Sequence, residues 1–147
     1  MKVLNEMKLQ IESRSVNESF ARAAVAAFAS QLDPTVEEIS DIKTAVSEAV
    51  TNCIVHGYSK NVGKIYIYAK IYENRLFKVS IKDKGCGIEN IKQAMEPLFT
   101  TLGGERAGLG FAVMESFCDK IRVSSKPGKG TTVTLEKNLK GRNNSDG

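Results

Sequence analysis

Thr44-Ala-Val-Ser-Glu-Ala-Val-Thr-Asn-Cys-Ile-Val-His-Gly-Tyr58 is a helix-forming run that ends in a histidine and a glycine, with polar residues where a buried helix should carry none. Successive helical residues turn by about 100°, so Glu48, Asn52 and His56, spaced by four, share one slowly drifting face. Ile39, Ile42, Val46, Ala49 and Cys53 fall on a different, apolar face, the one a core would hold. A carboxylate able to accept a hydroxyl proton, with a neutral oxygen one turn later that can ligate a hard cation, suits magnesium-dependent phosphate chemistry. A solvated face with three ordinary polar residues accounts for the same spacing.

Upstream, Asp33-Pro34 is a break, and Thr35 with Glu38 forms a capping box that starts the central helix. Before it an alanine-rich helix runs from Asn17-Glu-Ser-Phe20 to Leu32. Phe20, Ala24, Ala27, Phe28 and Gln31 are expected on its packed face, with Arg22 rotated away into solvent. Leu9 and Ile11 alternate with polar neighbours over residues 8–14, which predicts a first strand. The central helix is expected to end at Gly57, where a left-handed cap is wanted and a missing side chain would also leave room for a ligand's phosphates.

Downstream, residues 64–72 alternate Ile65, Ile67, Ala69 and Ile71 with polar and tyrosine positions, Glu73-Asn-Arg75 turns, and residues 77–83 alternate again, a hairpin. Its second strand places Asp83 on the apolar face, where an unpaired carboxylate is costly, so a backbone amide or a ligand donor such as an exocyclic amine must answer it. Asp83-Lys-Gly-Cys-Gly87 follows, with glycines that let the backbone approach a flat ligand. It fails as an EF-hand loop at Gly85 and as a dinucleotide fingerprint at Asn90. A short helix is expected over residues 91–95, stopped by Pro97, and then a lid over residues 98–110 with four glycines in eight residues. The lid runs into a helix over residues 109–117, so amides of residues 108–110 sit at a helix N-terminus, an anion site. Two strands close the chain, joined by Lys126-Pro-Gly-Lys-Gly130, which lacks the hydroxyl residue and the following helix of a P-loop.

With 147 residues, 41% of them apolar and 26% charged, the chain predicts one soluble domain over residues 1–139 and a polar flexible tail over residues 140–147. Three cysteines, without CxxC spacing, argue against a disulfide framework or a zinc site and for a cytoplasmic protein. No apolar run approaches the ~20 residues of a membrane span, and a net charge of +4, scattered, forms no nucleic-acid stripe, so neither membrane nor direct nucleic-acid binding is expected.

The ordered set of ExxxNxxxH on a helix, DxGxG after a strand, a Thr-Thr lid, GLG opening a helix and GTT in the last strand resembles the ATP-binding fold of gyrase, heat-shock chaperones, histidine kinases and MutL, the GHKL group with its Bergerat site. Within that group it is similar to the anti-sigma serine kinases of sporulation, over residues 5–139. Asn17-Glu-Ser-Phe-Ala-Arg22, Ser47-Glu-Ala-Val-Thr-Asn52, His56-Gly-Tyr58 and Pro97-Leu-Phe-Thr-Thr101 carry the resemblance. It implies an α/β (α+β) two-layer sandwich, with helices covering one face of a mixed, mostly antiparallel sheet.

The resemblance also implies ATP and Mg2+ as cofactors, with Glu48 as the base that takes a substrate serine's proton and Asn52 as a nucleotide and magnesium contact. His56 would border the phosphates. Asp83, Gly85, Gly87 and Thr131 would hold adenine, and Gly108 and Gly110 phosphate. Thr100 and Thr101 belong to the nucleotide lid, and Arg106 would act catalytically at the terminal phosphate. The lid departs from the family at Leu102-Gly-Gly104, where a Pro-Glu-Leu-like run is usual. The implied partners are sporulation sigma factor F, at a surface that includes Arg22, an anti-anti-sigma factor phosphorylated on serine, and a second copy in a homodimer. The single histidine lies inside the helix motif, which leaves no separate phosphoacceptor for a histidine kinase. Two classes remain: a protein-serine kinase that sequesters a sigma factor, and a nucleotide-gated binding module without transfer.

Overall fold

Alternation of buried and half-buried positions runs unbroken along β2 (Lys64–Tyr72) and β3 (Leu76–Asp83), and these two strands form the middle of the sheet. The computed structural model describes residues 2–88 and 110–142. The short helix expected over residues 91–95 and the lid, including Thr100, Thr101, Arg106 and Gly108, lie outside the described residues. With β1 (Val3–Glu12), β4 (Lys120–Lys126) and β5 (Gly130–Asn138), the order is β1-β2-β3-β5-β4. Each of these pairings is antiparallel, so among the described residues the sheet is wholly antiparallel rather than mixed. One face holds Ile65, Ile67, Phe77, Val79, Ile81, Val133 and Leu135, each nearly fully buried and each stabilising by about 1.5–3 kcal/mol relative to exposure.

Among the described residues three helices cover that face: α1 (Asn17–Ala29), α2 (Val36–Asn52) and α3 (Phe111–Phe117). Ile42, Val46, Ala49 and Cys53 are buried as the apolar stripe requires, and Ile39 packs at its edge. The face expected for α1 is displaced. Ala21, Val25, Ala26, Phe28 and Ala29 are buried, whereas Phe20 is 52% exposed and Ala27 and Gln31 lie outside. Placing the face by the largest ring puts it one residue, about 100°, out of register. The stripe that packs is mostly alanine and valine, small enough for α1 to lie against α2.

Thr35 caps α2 as expected: its hydroxyl accepts from the Glu38 amide at 3.0 Å and Glu38 Oε1 accepts from the Thr35 amide at 2.9 Å. The Glu38 carboxylate also accepts from the amides of Lys140 (2.7 Å) and Gly141 (3.2 Å). Leu139 is buried and its carbonyl accepts from Arg75 Nε, while the Arg142 amide donates to the Asp33 carbonyl. The chain expected to be a tail from residue 140 is therefore docked through residue 142, because a capping carboxylate has lone pairs to spare.

Burial pushes the Glu38 carboxyl up, but hydrogen bonds from Thr35, Lys140 and Gly141 outweigh it and hold the pKa below its ordinary value. A depressed folded-state pKa stabilises above the unfolded value, and the contribution is lost as pH falls through the folded one. Glu38→Gln should therefore lose stability at pH 7, and the deficit against the native chain should shrink as pH falls below the usual carboxylate range. Urea denaturation of both chains from pH 7 to pH 3 measures this; a deficit independent of pH would rule out the ionised cap.

Candidate nucleotide site

Asp83 ends β3 opposite Thr131 of β5 and Ile65 of β2, and it is 4% exposed. Its Oδ1 accepts from the Gly85 amide at 2.9 Å. Burial pushes its pKa up, while hydrogen bonds from the Gly85 amide, the Cys53 thiol and the Thr131 amide act in the other direction. The same contact acts on Cys53, whose thiol is pushed well up by burial and then by the Asp83 charge. Of the two partners that the sequence allows Asp83, the chain itself supplies the amide.

Gly57 does not adopt the left-handed conformation expected of a helix cap. Its position is set instead by close approach: a Cβ there would lie 2.8 Å from Asp83 Cγ and Oδ2. The space that a side chain would fill is occupied by the buried carboxylate. Residues Cys53–Gly57 form a π-turn, closed by the Tyr58 amide donating to the Cys53 carbonyl at 2.9 Å. The regular helix therefore ends at Asn52, and the wider i→i+5 turn carries His56 round from where α-helical spacing would leave it.

The loop after Asp83 is tied on two sides. On one, the Lys84 amide donates to Tyr58 Oη at 2.6 Å, the Cys86 amide to the Gly57 carbonyl at 3.0 Å and the Cys86 thiol to the His56 carbonyl at 3.1 Å. On the other, the Gly128 amide reaches the Cys86 carbonyl at 2.6 Å and the Ile88 amide reaches Ser125 Oγ at 2.8 Å. A Cβ on Gly85 would strike the Gly57 carbonyl, and one on Gly87, whose φ is 77°, the Lys126 carbonyl. Both glycines are thus demanded by neighbouring backbone, whatever ligand lies beyond.

These elements border a narrow cleft. Asn52, His56, Gly57, Asp83, Gly87 and Thr131 line it, and Ile81, Ile88, Phe111 and Val133 supply apolar surface. Glu48 is not among the lining residues. It lies one turn before Asn52, and a Cβ on Gly110, the left-handed residue (φ 72°) that precedes α3, would strike its Oε2. Helix α3 starts at Phe111, two residues later than expected. Burial first, and the charge of Glu18 second, push the Glu48 pKa up.

Arg22 is not free in solvent. Its Nη1 lies 3.3 Å from both Glu18 Oε2 and Ser47 Oγ, and Ser47 donates to the same Glu18 oxygen at 2.5 Å. The pairing joins α1 to α2 immediately beside Glu48.

Residues 11–137 match the histidine kinase-like ATPase domain. An anti-sigma F factor of Thermoanaerobacter sp. (strain X514) is 59% identical over 138 residues, 93% of this chain and 96% of the relative. Another, from Caldanaerobacter subterraneus subsp. tengcongensis, is 57% identical over 144 residues, 97% of this chain and 99% of the relative. The chain belongs to the anti-sigma F factors, within the histidine kinase-like ATPase family. The fold is similar to that in the crystal structure of the RsbU and RsbW domains of Rv1364c from Mycobacterium tuberculosis, with a TM-score of 0.67 and 21% identity. That match covers 92% of this chain and 32% of the other, so the chain spans about a third of its length. Among the described residues no helix is long and apolar enough to cross a membrane.

Three residues of the site escaped the sequence analysis as contributors: Tyr58, Cys53 and Ser125. Tyr58 Oη accepts from Lys84 and donates to the Lys64 carbonyl at 2.6 Å, tying the π-turn to the loop and to β2. A tyrosine directly after the His-Gly pair was visible as part of the resemblance, but its hydroxyl's partners are distant in sequence.

Gly57→Ala sets two effects against each other. The backbone there suits alanine, which favours it by about 0.4–1 kcal/mol through the unfolded chain, but the methyl overpacks the Asp83 carboxylate, a cost of roughly 1–3 kcal/mol. Net destabilisation is expected in urea denaturation; a gain in stability would contradict the close approach.

Proposed function

We propose that the protein is a cytoplasmic anti-sigma factor that sequesters sporulation sigma factor F and, as an ATP-dependent protein-serine kinase, phosphorylates its anti-anti-sigma antagonist. The observation that carries the proposal is Glu48: a half-buried carboxylate with a raised pKa, one helical turn from a cleft lined by Asn52, His56 and Asp83. The names of the relatives supply the sigma-factor partner, and homodimerisation follows from the same resemblance.

In this reading Asp83 and Thr131 receive the adenine amine, with Ile81, Ile88 and Val133 against the base. Asn52 and His56, which also line the cleft, would face the phosphates. Glu48 takes the proton of the incoming serine hydroxyl; a base whose pKa is raised toward the working pH does so more effectively. Arg106, with Thr100, Thr101, Gly108 and Gly110, would handle the terminal phosphate.

The donor set fits magnesium. Among the described residues no group of three or more His, Cys, Asp or Glu side chains forms a metal cluster, whereas a neutral oxygen at Asn52 suits an ion held chiefly by phosphates and water. When bound, the ion supplies charge neutralisation on the phosphates.

Glu48→Gln should bind Mg-ATP nearly normally yet transfer phosphate to the anti-anti-sigma protein roughly 10²–10⁴-fold more slowly, the usual share of a general base. Labelled ATP mixed with both proteins measures it. Transfer at the native rate would remove Glu48 as the base, and absence of transfer in the native chain would leave a nucleotide-gated binding module.

Sequestration should depend on nucleotide. Sigma-factor affinity, read by fluorescence anisotropy, should be tighter with ATP than with ADP by a coupling of roughly 1–3 kcal/mol. Arg22→Glu should weaken sigma binding and leave ATP affinity unchanged, since the residue lies outside the cleft. Equal affinities with ATP, ADP and no nucleotide would eliminate the switch.

A further inference from the structure

Ser125 stands at a crossing of hydrogen bonds behind the cleft. Its Oγ lies 2.8 Å from the Ile88 amide, 3.0 Å from the Gly130 carbonyl and 2.8 Å from Thr131 Oγ1. The directions follow from what each group can do. An amide only donates and a carbonyl only accepts, so Ser125 accepts from Ile88 and gives its single proton to Gly130. Nothing is left for it to donate to Thr131. The Thr131 hydroxyl must therefore donate to Ser125, which fills the second lone pair and saturates the serine.

Thr131 lines the cleft, and its strand register sets it opposite Asp83. With its proton committed to Ser125, its oxygen offers only lone pairs to a ligand. Asp83, buried and receiving the Gly85 amide, likewise offers only lone pairs. We propose that Ser125 is a specificity-determining residue that fixes the Thr131 hydroxyl as an acceptor, so that two acceptors face the two N–H bonds of an adenine-type exocyclic amine and none faces them with a proton for a guanine carbonyl. The proposal rests on the assignment of this cleft to a nucleotide base. Discrimination of this kind is strong because the wrong ligand leaves buried polar groups unpaired.

Ser125→Ala releases the Thr131 hydroxyl, which can then turn its proton into the cleft and donate to a carbonyl. The test is ATP and GTP affinity by titration calorimetry on the full chain, in native, Ser125→Ala, Ser125→Thr and Asp83→Asn forms. The preference for ATP over GTP should fall about tenfold in Ser125→Ala, the scale of one hydrogen bond, and stay near native in Ser125→Thr, which keeps the hydroxyl. Removing Ser125 also deprives Ile88 of its acceptor, so both affinities can fall together; only the ratio reports on the proton. An equal loss for both nucleotides would reduce Ser125 to a loop anchor and overturn the proposal. Asp83→Asn separates the two levels. If it lowers the ATP preference while Ser125→Ala does not, the proposal alone fails; if neither changes the ratio, the assignment of the cleft to adenine fails with it.

Discussion

A carboxylate that is 4% exposed at the end of an apolar strand face has to be answered by its surroundings, and the answer at Asp83 organises the residues around it. The chain meets it in three ways. The loop folds back so that the Gly85 amide reaches Oδ1; Gly57 withdraws its side chain so that the π-turn can pass against the carboxylate; and Cys53 brings a thiol from the end of the central helix. Each is a concession by a different element to one buried charge, and together they draw α2, β3 and the loop after β3 to a common point. Burial still dominates, since the pKa stays above its ordinary value. Its lone pairs are what a ligand with an N–H to offer can exploit.

The π-turn serves the same end. An α-helix continued past Asn52 would carry its apolar and polar faces onward at the same drift, whereas the wider turn ends the helix over Asp83 and delivers the carbonyls of His56 and Gly57 to the thiol and amide of Cys86. Such turns concentrate at functional sites because the extra residue redirects side chains without breaking backbone pairing. Here it keeps Asn52 and His56 lining the cleft and leaves Glu48, a turn earlier, against the start of α3. A single stripe on paper becomes two positions, one inside the cleft and one beside it.

Strands and caps were legible because their signals are local. Alternation over residues 64–72 and 77–83 marks the hairpin, and the Thr35–Glu38 box marks the start of α2, since each needs nothing from elsewhere in the chain. The packed face of α1 was misassigned because Phe20 outweighs Ala21 in any hydrophobic count, while close helix packing selects for the small side chain. Gly57 was assigned a cap on the strength of its place after a helix; its true constraint, the Asp83 carboxylate, lies 26 positions on in sequence. The docking of residues 140 and 141 was hidden for a like reason, because their partner Glu38 is about a hundred residues away. Asp83 itself was legible, since strand alternation alone puts it on the buried face and elementary electrostatics then demands a partner.

The two ends of the proposed activity, a partner surface on α1 and a base on α2, share one residue. Glu18 receives both Ser47 and Arg22, and its charge is the second cause, after burial, of the raised Glu48 pKa. Exposed ion pairs at this spacing contribute only a few tenths of a kcal/mol, so the Arg22 contact is weak enough to be exchanged. The Ser47 contact, at 2.5 Å, is the shorter and ties Glu18 to α2. A partner that drew Arg22 away would leave Glu18 in place with less of its charge neutralised, and Glu48 is the carboxylate that feels that charge. In the proposed activity, the physical link between the two is one carboxylate, Glu18, held between two helices.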